Sequence, residues 1–194
     1  MKLCGLTGGV GMGKSTAAGF FAQSGLCLVD TDDLAHQLVQ PGQPALAEIQ
    51  GAFGVDMIAP DGSLDRKKLA RIVFADAQAR KRLEAILHPR IRERWQAQIE
   101  DWRTEQCSAG MVVIPLLFET GAETQFDKII CVACSPVGQH ERLRSRGWSD
   151  EHLRDRISAQ MAAEQKIARS HFVIWTEGSL DNHRRQVERI VKSI

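Results

Sequence analysis

The sequence predicts an α/β protein with three layers around a five-stranded parallel sheet, plus a helical insertion and an arginine-rich helical lid. Three observations predict it. Short apolar runs alternate with longer stretches of helical periodicity, the pattern of parallel strands joined by crossover helices. A glycine cluster sits between the first such run and a helix start. Between Pro41 and Cys107 the alternation gives way to helix upon helix.

The first strand is read at Lys2 to Leu6, followed by a helix from Lys14 to about Gln23 that stops at Gly25 as at a glycine C-cap. Further strands are read at Leu26 to Asp30, Met111 to Pro115, Lys128 to Cys134 and His171 to Trp175. A last amphipathic helix carries Leu180, Val187, Ile190 and Val191. The helical stretch places Leu46, Ile49 and Phe53, then Leu69, Ile72 and Val73, then Leu83, Ile86 and Leu87 at spacings of three and four, with a turn at Pro60-Asp61-Gly62. His88-Pro89 reads as the end of one helix and the start of the next. These readings divide the chain into a nucleotide-binding core (1–40, 108–134 and 170–194), a helical substrate insertion (41–107) and a lid (135–169).

Composition narrows the class. With 194 residues, 43% hydrophobic and 25% charged, the chain can bury a core without disulfides or structural metals. Twenty-five Lys and Arg against 24 Asp and Glu give a charge of +1, which argues against a dedicated nucleic-acid binder. The start, Met1-Lys2-Leu3-Cys4-Gly5, leaves no room for a secretory signal, and no apolar run approaches a membrane span. A cytoplasmic protein is expected, and the odd count of five cysteines, mostly in strand-like stretches, fits that. Cys131 and Cys134 have metal-knuckle spacing, but on a strand they face opposite sides and no second pair completes a site.

Gly8-Gly9-Val10-Gly11-Met12-Gly13-Lys14-Ser15 satisfies the phosphate-loop pattern in the strand-to-helix setting that the chemistry needs. The fold class is therefore a P-loop NTPase core. Gly9, Gly11, Met12, Gly13, Lys14, Ser15 and Thr16 are the expected ATP contacts, with Lys14 on the β- and γ-phosphates and the Ser15 hydroxyl on Mg2+. Asn182 is the sole asparagine and lacks an Asn-Lys-x-Asp context, and no Asp-x-x-Gly segment occurs. A small-molecule kinase is favoured over a GTPase switch.

Asp30-Thr31-Asp32-Asp33 follows the second strand, so it emerges at the sheet edge where such folds bind ligands. Extended chain puts Asp30 and Asp32 on one side, and Asp32 is the expected base for an acceptor hydroxyl and a contributor to the metal's surroundings. Asp33 reads as a helix N-cap. Arg142 and Arg146, four apart, either close over transferring phosphates or form a solvated helix face; Arg144 has the weaker claim. Arg66, Arg71, Arg90, Arg92 and Arg94 in the insertion can receive an anionic substrate or serve as surface cations.

Leu6-Thr7-Gly8 through Lys14-Ser15-Thr16, Asp30-Thr31-Asp32, Leu64-Asp65-Arg66, Leu87-His88-Pro89-Arg90-Ile91-Arg92, Pro115-Leu116-Leu117-Phe118-Glu119, Gln160 and Gly178-Ser179-Leu180 together resemble the dephospho-CoA kinase family over practically the whole chain. The resemblance implies transfer of the γ-phosphate of ATP to the ribose 3′-hydroxyl of dephospho-CoA, the final step of coenzyme A synthesis. It implies Asp32 as base, Lys14 and Arg142 as charge stabilisers, and Arg146 in the lid. Thr7, Asp32, Arg66, His88, Leu117 and Phe118 are expected at the acceptor, Ser15 and Asp32 at Mg2+. Partners are expected to be ATP and dephospho-CoA, with no nucleic acid or membrane and a monomer or weak homo-oligomer. Three places depart from the family pattern: Val113 stands where an acidic residue is common, Trp175-Thr176-Glu177 replaces an Asp-Asn-like pair, and Lys166 follows Gln160 where the pattern ends in arginine, keeping the charge and losing bidentate geometry. Another kinase of the nucleoside-monophosphate type, or a nucleotide-binding regulator without turnover, remains open from residues alone.

Overall fold

The computed structural model describes residues 1–194, the side chain of His152 excepted. Two compact units emerge, Met1–Asp30 with Asp101–Ile194, and Thr31–Glu100. In chain order the elements are β1 (Lys2–Gly8), α1 (Lys14–Gln23), β2 (Cys27–Asp30), α2 (Thr31–Leu38), α3 (Pro44–Phe53), α4 (Arg66–Ala75), α5 (Ala77–Thr104), β3 (Ala109–Val113), β4 (Lys128–Ala133), α6 (Pro136–Ser145), α7 (Asp150–Ser158), α8 (Ala163–Ala168), β5 (Phe172–Trp175) and α9 (Leu180–Val191).

The expected α/β fold is the observed one. The strands form one parallel sheet in the order β2-β3-β1-β4-β5. Interior strand β3, between β2 and β1, is buried along its whole length, as a strand covered on both faces must be. On one face Phe20 and Phe21 of α1 and Val187 and Ile190 of α9 pack onto Cys4, Leu6, Met111 and Ile130. Across this layer Phe20 meets His183 edge-on, with ring centroids 5.3 Å apart. Short α8 packs against β1 and β4, where Ile167 meets Met12, Ala133 and Cys134. Register fixes the functional edge: Leu6 lies beside Val113 and Val113 beside Asp30, so β1 and β2 end at the same side of the sheet.

The helical unit has its own core of Val39, Ile49, Met57, Leu69, Val73 and Ala79. Its α4 starts at Asp65, whose carboxylate accepts the Lys68 N–H at 2.9 Å as an N-cap. The Pro60-Asp61-Gly62 turn is closed by one antiparallel bridge between Ile58 and Leu64.

Three expectations need correction. Pro89 does not divide two helices: α5 runs unbroken from Ala77 to Thr104 with Pro89 inside. Proline forfeits one intrahelical bond, but Leu83, Ile86 and Leu87 before it pack on the helical core and Trp95 and Ile99 after it are buried, so packing outweighs the local loss. Next, α2 begins at Thr31, directly after β2, so Asp32 and Asp33 occupy its first turn. Asp32 is thus not extended beside Asp30, and Asp33 is not the cap; carboxylates there suit the positive end of the helix. Finally, Cys27 and Cys107, 80 residues apart, form a disulfide. Pairing of β2 with β3, which sets Cys27 opposite Gly110, brings the two cysteines together.

Among the described residues no helix is long and apolar enough to cross a membrane. The three remaining cysteines, Cys4, Cys131 and Cys134, are buried, and burial pushes the Cys4 and Cys131 thiols up to about 11. Thiolate is the reactive form. Titration with an aromatic disulfide reagent at neutral pH should therefore find no fast-reacting thiol in native, unreduced protein, three in denaturant and five after reduction.

Candidate active site

At the end of β1 the chain turns through the glycine cluster into α1. A Cβ on Gly8 would stand 2.2 Å from the Val132 carbonyl oxygen, so only glycine lets the two backbones approach this closely. Gly13 takes φ +95° and precedes Lys14, where α1 opens with no side-chain cap on its first N–H groups. Such an end, with loop amides around it, is a phosphate cradle. The Lys14 ammonium donates to the carbonyls of Gly8 and Gly9 at 2.8 and 2.9 Å, so it lies over the loop. The Ser15 and Thr16 side chains are exposed at the helix start.

Side chains distant in sequence hold the loop in shape. The Val10 N–H donates to Gln160 Oε1 at 3.0 Å, and Gln139 Nε2 donates to the Val10 carbonyl at 2.8 Å. Thr176 Oγ1 donates to the Met12 carbonyl at 2.9 Å and accepts from Arg142 Nη1 at 2.7 Å. Arg142 Nη2 donates to the Thr176 carbonyl at 2.6 Å. Glu177 accepts from the Ser135 N–H at 3.1 Å, from the Ser135 hydroxyl and from Trp175 Nε1 at 2.9 Å. Those bonds, the Ser135 hydroxyl foremost, lower the Glu177 pKa below the ordinary carboxylate range.

Below the loop lies a wholly buried lysine. Lys166 Nζ donates to the Pro115 carbonyl at 2.6 Å and pairs with Glu119 at 2.8 Å, while Glu119 also accepts the Met161 N–H at 2.8 Å. Thr7 Oγ1 shares the Pro115 carbonyl at 3.2 Å. In the helical unit, an apolar cavity of about 330 Å³ is lined by Val39, Ile49, Leu69, Val73, His36 and Arg66.

The family model for dephospho-CoA kinase matches residues 2–182. The chain belongs to the dephospho-CoA kinase family. A dephospho-CoA kinase of Symbiobacterium thermophilum is 41% identical over 189 residues, 97% of this chain and 79% of that one. The crystal structure of TT1252 from Thermus thermophilus superposes with a TM-score of 0.83 at 31% identity, covering 100% of this chain and 97% of that one. The dephospho-CoA kinase from Campylobacter jejuni gives a TM-score of 0.73 at 26% identity, with 100% and 97% covered.

Within this dephospho-CoA kinase fold the expected residues take distinct places. Gly9, Gly11, Met12 and Gly13 form the loop, and Arg142 lies against it through Thr176. Arg146 is the C-cap of α6, four residues after Arg142, and exposed. Arg144 pairs with Asp150 at 2.9 Å on the surface. Thr7 and Leu117 have no exposed surface and Phe118 is buried under the Arg169 guanidinium, 4.4 Å from its ring centre; these three build the wall behind the site rather than its surface. Asp32 and Arg66 are exposed in the helical unit, and His88 lies half-buried on α5, its pKa lowered chiefly by burial. The sequence reading missed Gln139, and it named Thr176 and Lys166 only as departures from the family pattern, without the contacts they make. Lys166 had a visible signal: it follows Ala163 and precedes Ile167 on the apolar stripe of a short helix.

Removing one member of a buried ion pair leaves the other uncompensated. Lys166→Met is expected to destabilise the fold by about 2 to 3 kcal/mol, read from the urea midpoint, and adding Glu119→Gln should recover most of that loss.

Proposed function

We propose that the phosphate loop, Asp32 and Arg142 divide the work of phosphoryl transfer in this member of the dephospho-CoA kinase family. The protein transfers the γ-phosphate of ATP to the ribose 3′-hydroxyl of dephospho-CoA, giving CoA and ADP. The observation that carries the division of roles is the cradle at Gly8–Ser15, with Lys14 lying over it and an uncapped helix start behind it.

In the proposed sequence the loop amides and Lys14 seat the β- and γ-phosphates. Asp32, two residues past the carboxyl end of β2, accepts the proton of the acceptor hydroxyl as its oxygen bonds to the γ-phosphorus. The bond from that phosphorus to the β–γ bridging oxygen breaks, and ADP leaves. Arg142 balances the charge that spreads over the phosphoryl oxygens. The residues fit a magnesium ion: Ser15 offers an exposed hard oxygen donor, Asp32 a second, and no cluster of three or more His, Cys, Asp or Glu able to hold a metal occurs among the described residues. An ion bound mainly by phosphate and water needs no such cluster. Held by Ser15 and Asp32, such an ion would supply charge neutralisation for the phosphates. The apolar cavity with His36 and Arg66 supports the helical unit as the acceptor site, since dephospho-CoA combines a long neutral arm with phosphates.

Coupled measurement of ADP release tests the reading: turnover should require dephospho-CoA, and nucleoside monophosphates offered instead should give none. Lys14→Ala is expected to lower kcat about 10²-fold or more. Asp32→Asn should lower kcat about 10²-fold or more with the KM for ATP nearly unchanged; wild-type turnover in that variant removes the base assignment.

A further inference from the structure

Thr176 is the first residue after β5 and is buried, with its N–H still bonded to the Ala133 carbonyl at 2.9 Å, so the sheet fixes its position. Its hydroxyl has one proton and lone pairs to spare. A guanidinium can only donate, so Arg142 must take a lone pair and the proton must go to the Met12 carbonyl. The Thr176 carbonyl holds the second arm of the same guanidinium, which sets both the place and the plane of the fork. On the loop side, the Thr176 methyl sits 3.3 Å from where a Cβ on Gly13 would stand, packed on the residue before Lys14. One side chain thus touches the last turn of the phosphate loop and the arginine of α6.

The chemistry of the partners matters as much as the geometry. Arg144, Arg169, Arg185 and Arg90 are each paired with a carboxylate. The two groups that grip Arg142 are neutral oxygens, which fix its direction; the Glu177 carboxylate acts on it only through space and makes its own hydrogen bonds with Ser135 and Trp175. Glu177, the next residue, grips Ser135 at the start of α6, so two consecutive residues of the β5 exit hold that helix at its N-cap and again at Arg142.

We infer that Thr176 is a positioning residue, which holds the Arg142 guanidinium against the phosphate loop by neutral oxygens rather than a direct salt bridge, ready for the transferring phosphoryl group. The inference rests on the reading of Arg142 given above. Removing the hydroxyl lets a long side chain leave that direction, and misplacement by about 1 Å can cost an enzyme up to about 10²-fold.

The test compares kcat and KM, with ATP and dephospho-CoA, for wild type and for Thr176→Val, Thr176→Ser, Arg142→Met and the double variant Arg142→Met/Thr176→Val. Valine keeps the shape and loses the hydroxyl; serine keeps the hydroxyl. Expected are a fall in kcat of about 10-fold for Thr176→Val, with the KM for dephospho-CoA unchanged, a rate within about twofold of wild type for Thr176→Ser, and a double variant no slower than Arg142→Met alone. Wild-type kcat in Thr176→Val while Arg142→Met is slow overturns the role of Thr176 alone. An equal further loss in the Arg142→Met background overturns it too, because Thr176 then acts by another route. Wild-type kcat in Arg142→Met removes the arginine reading and this inference with it.

Discussion

A loop that presents its amide protons to phosphate must satisfy its carbonyls elsewhere, and the conformation of Gly8–Gly13 depends on how that is done. Lys14 takes the carbonyls of Gly8 and Gly9, Gln139 takes that of Val10, and Thr176 takes that of Met12. Gln160 takes the Val10 N–H. Apart from Lys14, these groups come from α6, from the turn before α8 and from the β5 exit. The polar, arginine-rich stretch after β4 is therefore more than a cover for the nucleotide. It carries part of the scaffold that keeps the cradle open.

The Lys166–Glu119 pair extends the same logic below the loop. A lysine with no exposed surface is costly unless its charge is met, and here a carboxylate and a carbonyl meet it. The pair joins the Pro115–Glu119 turn to the segment that follows Gln160, since Glu119 also accepts the Met161 N–H. Gln160 is thus anchored one residue away from the contact it makes with Val10. Both Lys166 and Lys14 oppose the rise in the Cys131 pKa. Burial still wins at Cys131 and keeps that thiol protonated at neutral pH.

How much was legible follows from the range of each interaction. Strand periodicity, the glycine pattern and its strand-to-helix setting are local, and all five strands and the helix Lys14–Gln23 were read close to their observed bounds. Pro89 misled because a local rule about proline competes with apolar contacts spread along a 28-residue helix, which no short window contains. Asp33 misled by three residues for a related reason: aspartate serves equally as a cap and in a first turn, and a cap there would start the helix at Leu34, whereas it starts at Thr31, which is buried. The Cys27–Cys107 disulfide and the Thr176 contacts depend on sheet order. Nothing within ten residues of Thr176 tells that β5 ends beside the loop formed after β1.

Net charge near zero concealed a sorting of arginines by partner. Surface arginines such as Arg144 and Arg185 face carboxylates, where exposure and screening make each pair weak and the charge locally cancelled. Arg142 is half-buried and gripped by oxygens that carry no formal charge. A sum over the chain counts both kinds alike. For an enzyme that must attract phosphate only at one edge of its sheet, the difference is functional: arginines in direct salt bridges are turned towards their carboxylates, and the arginine on Thr176 is turned by neutral oxygens towards the phosphate loop.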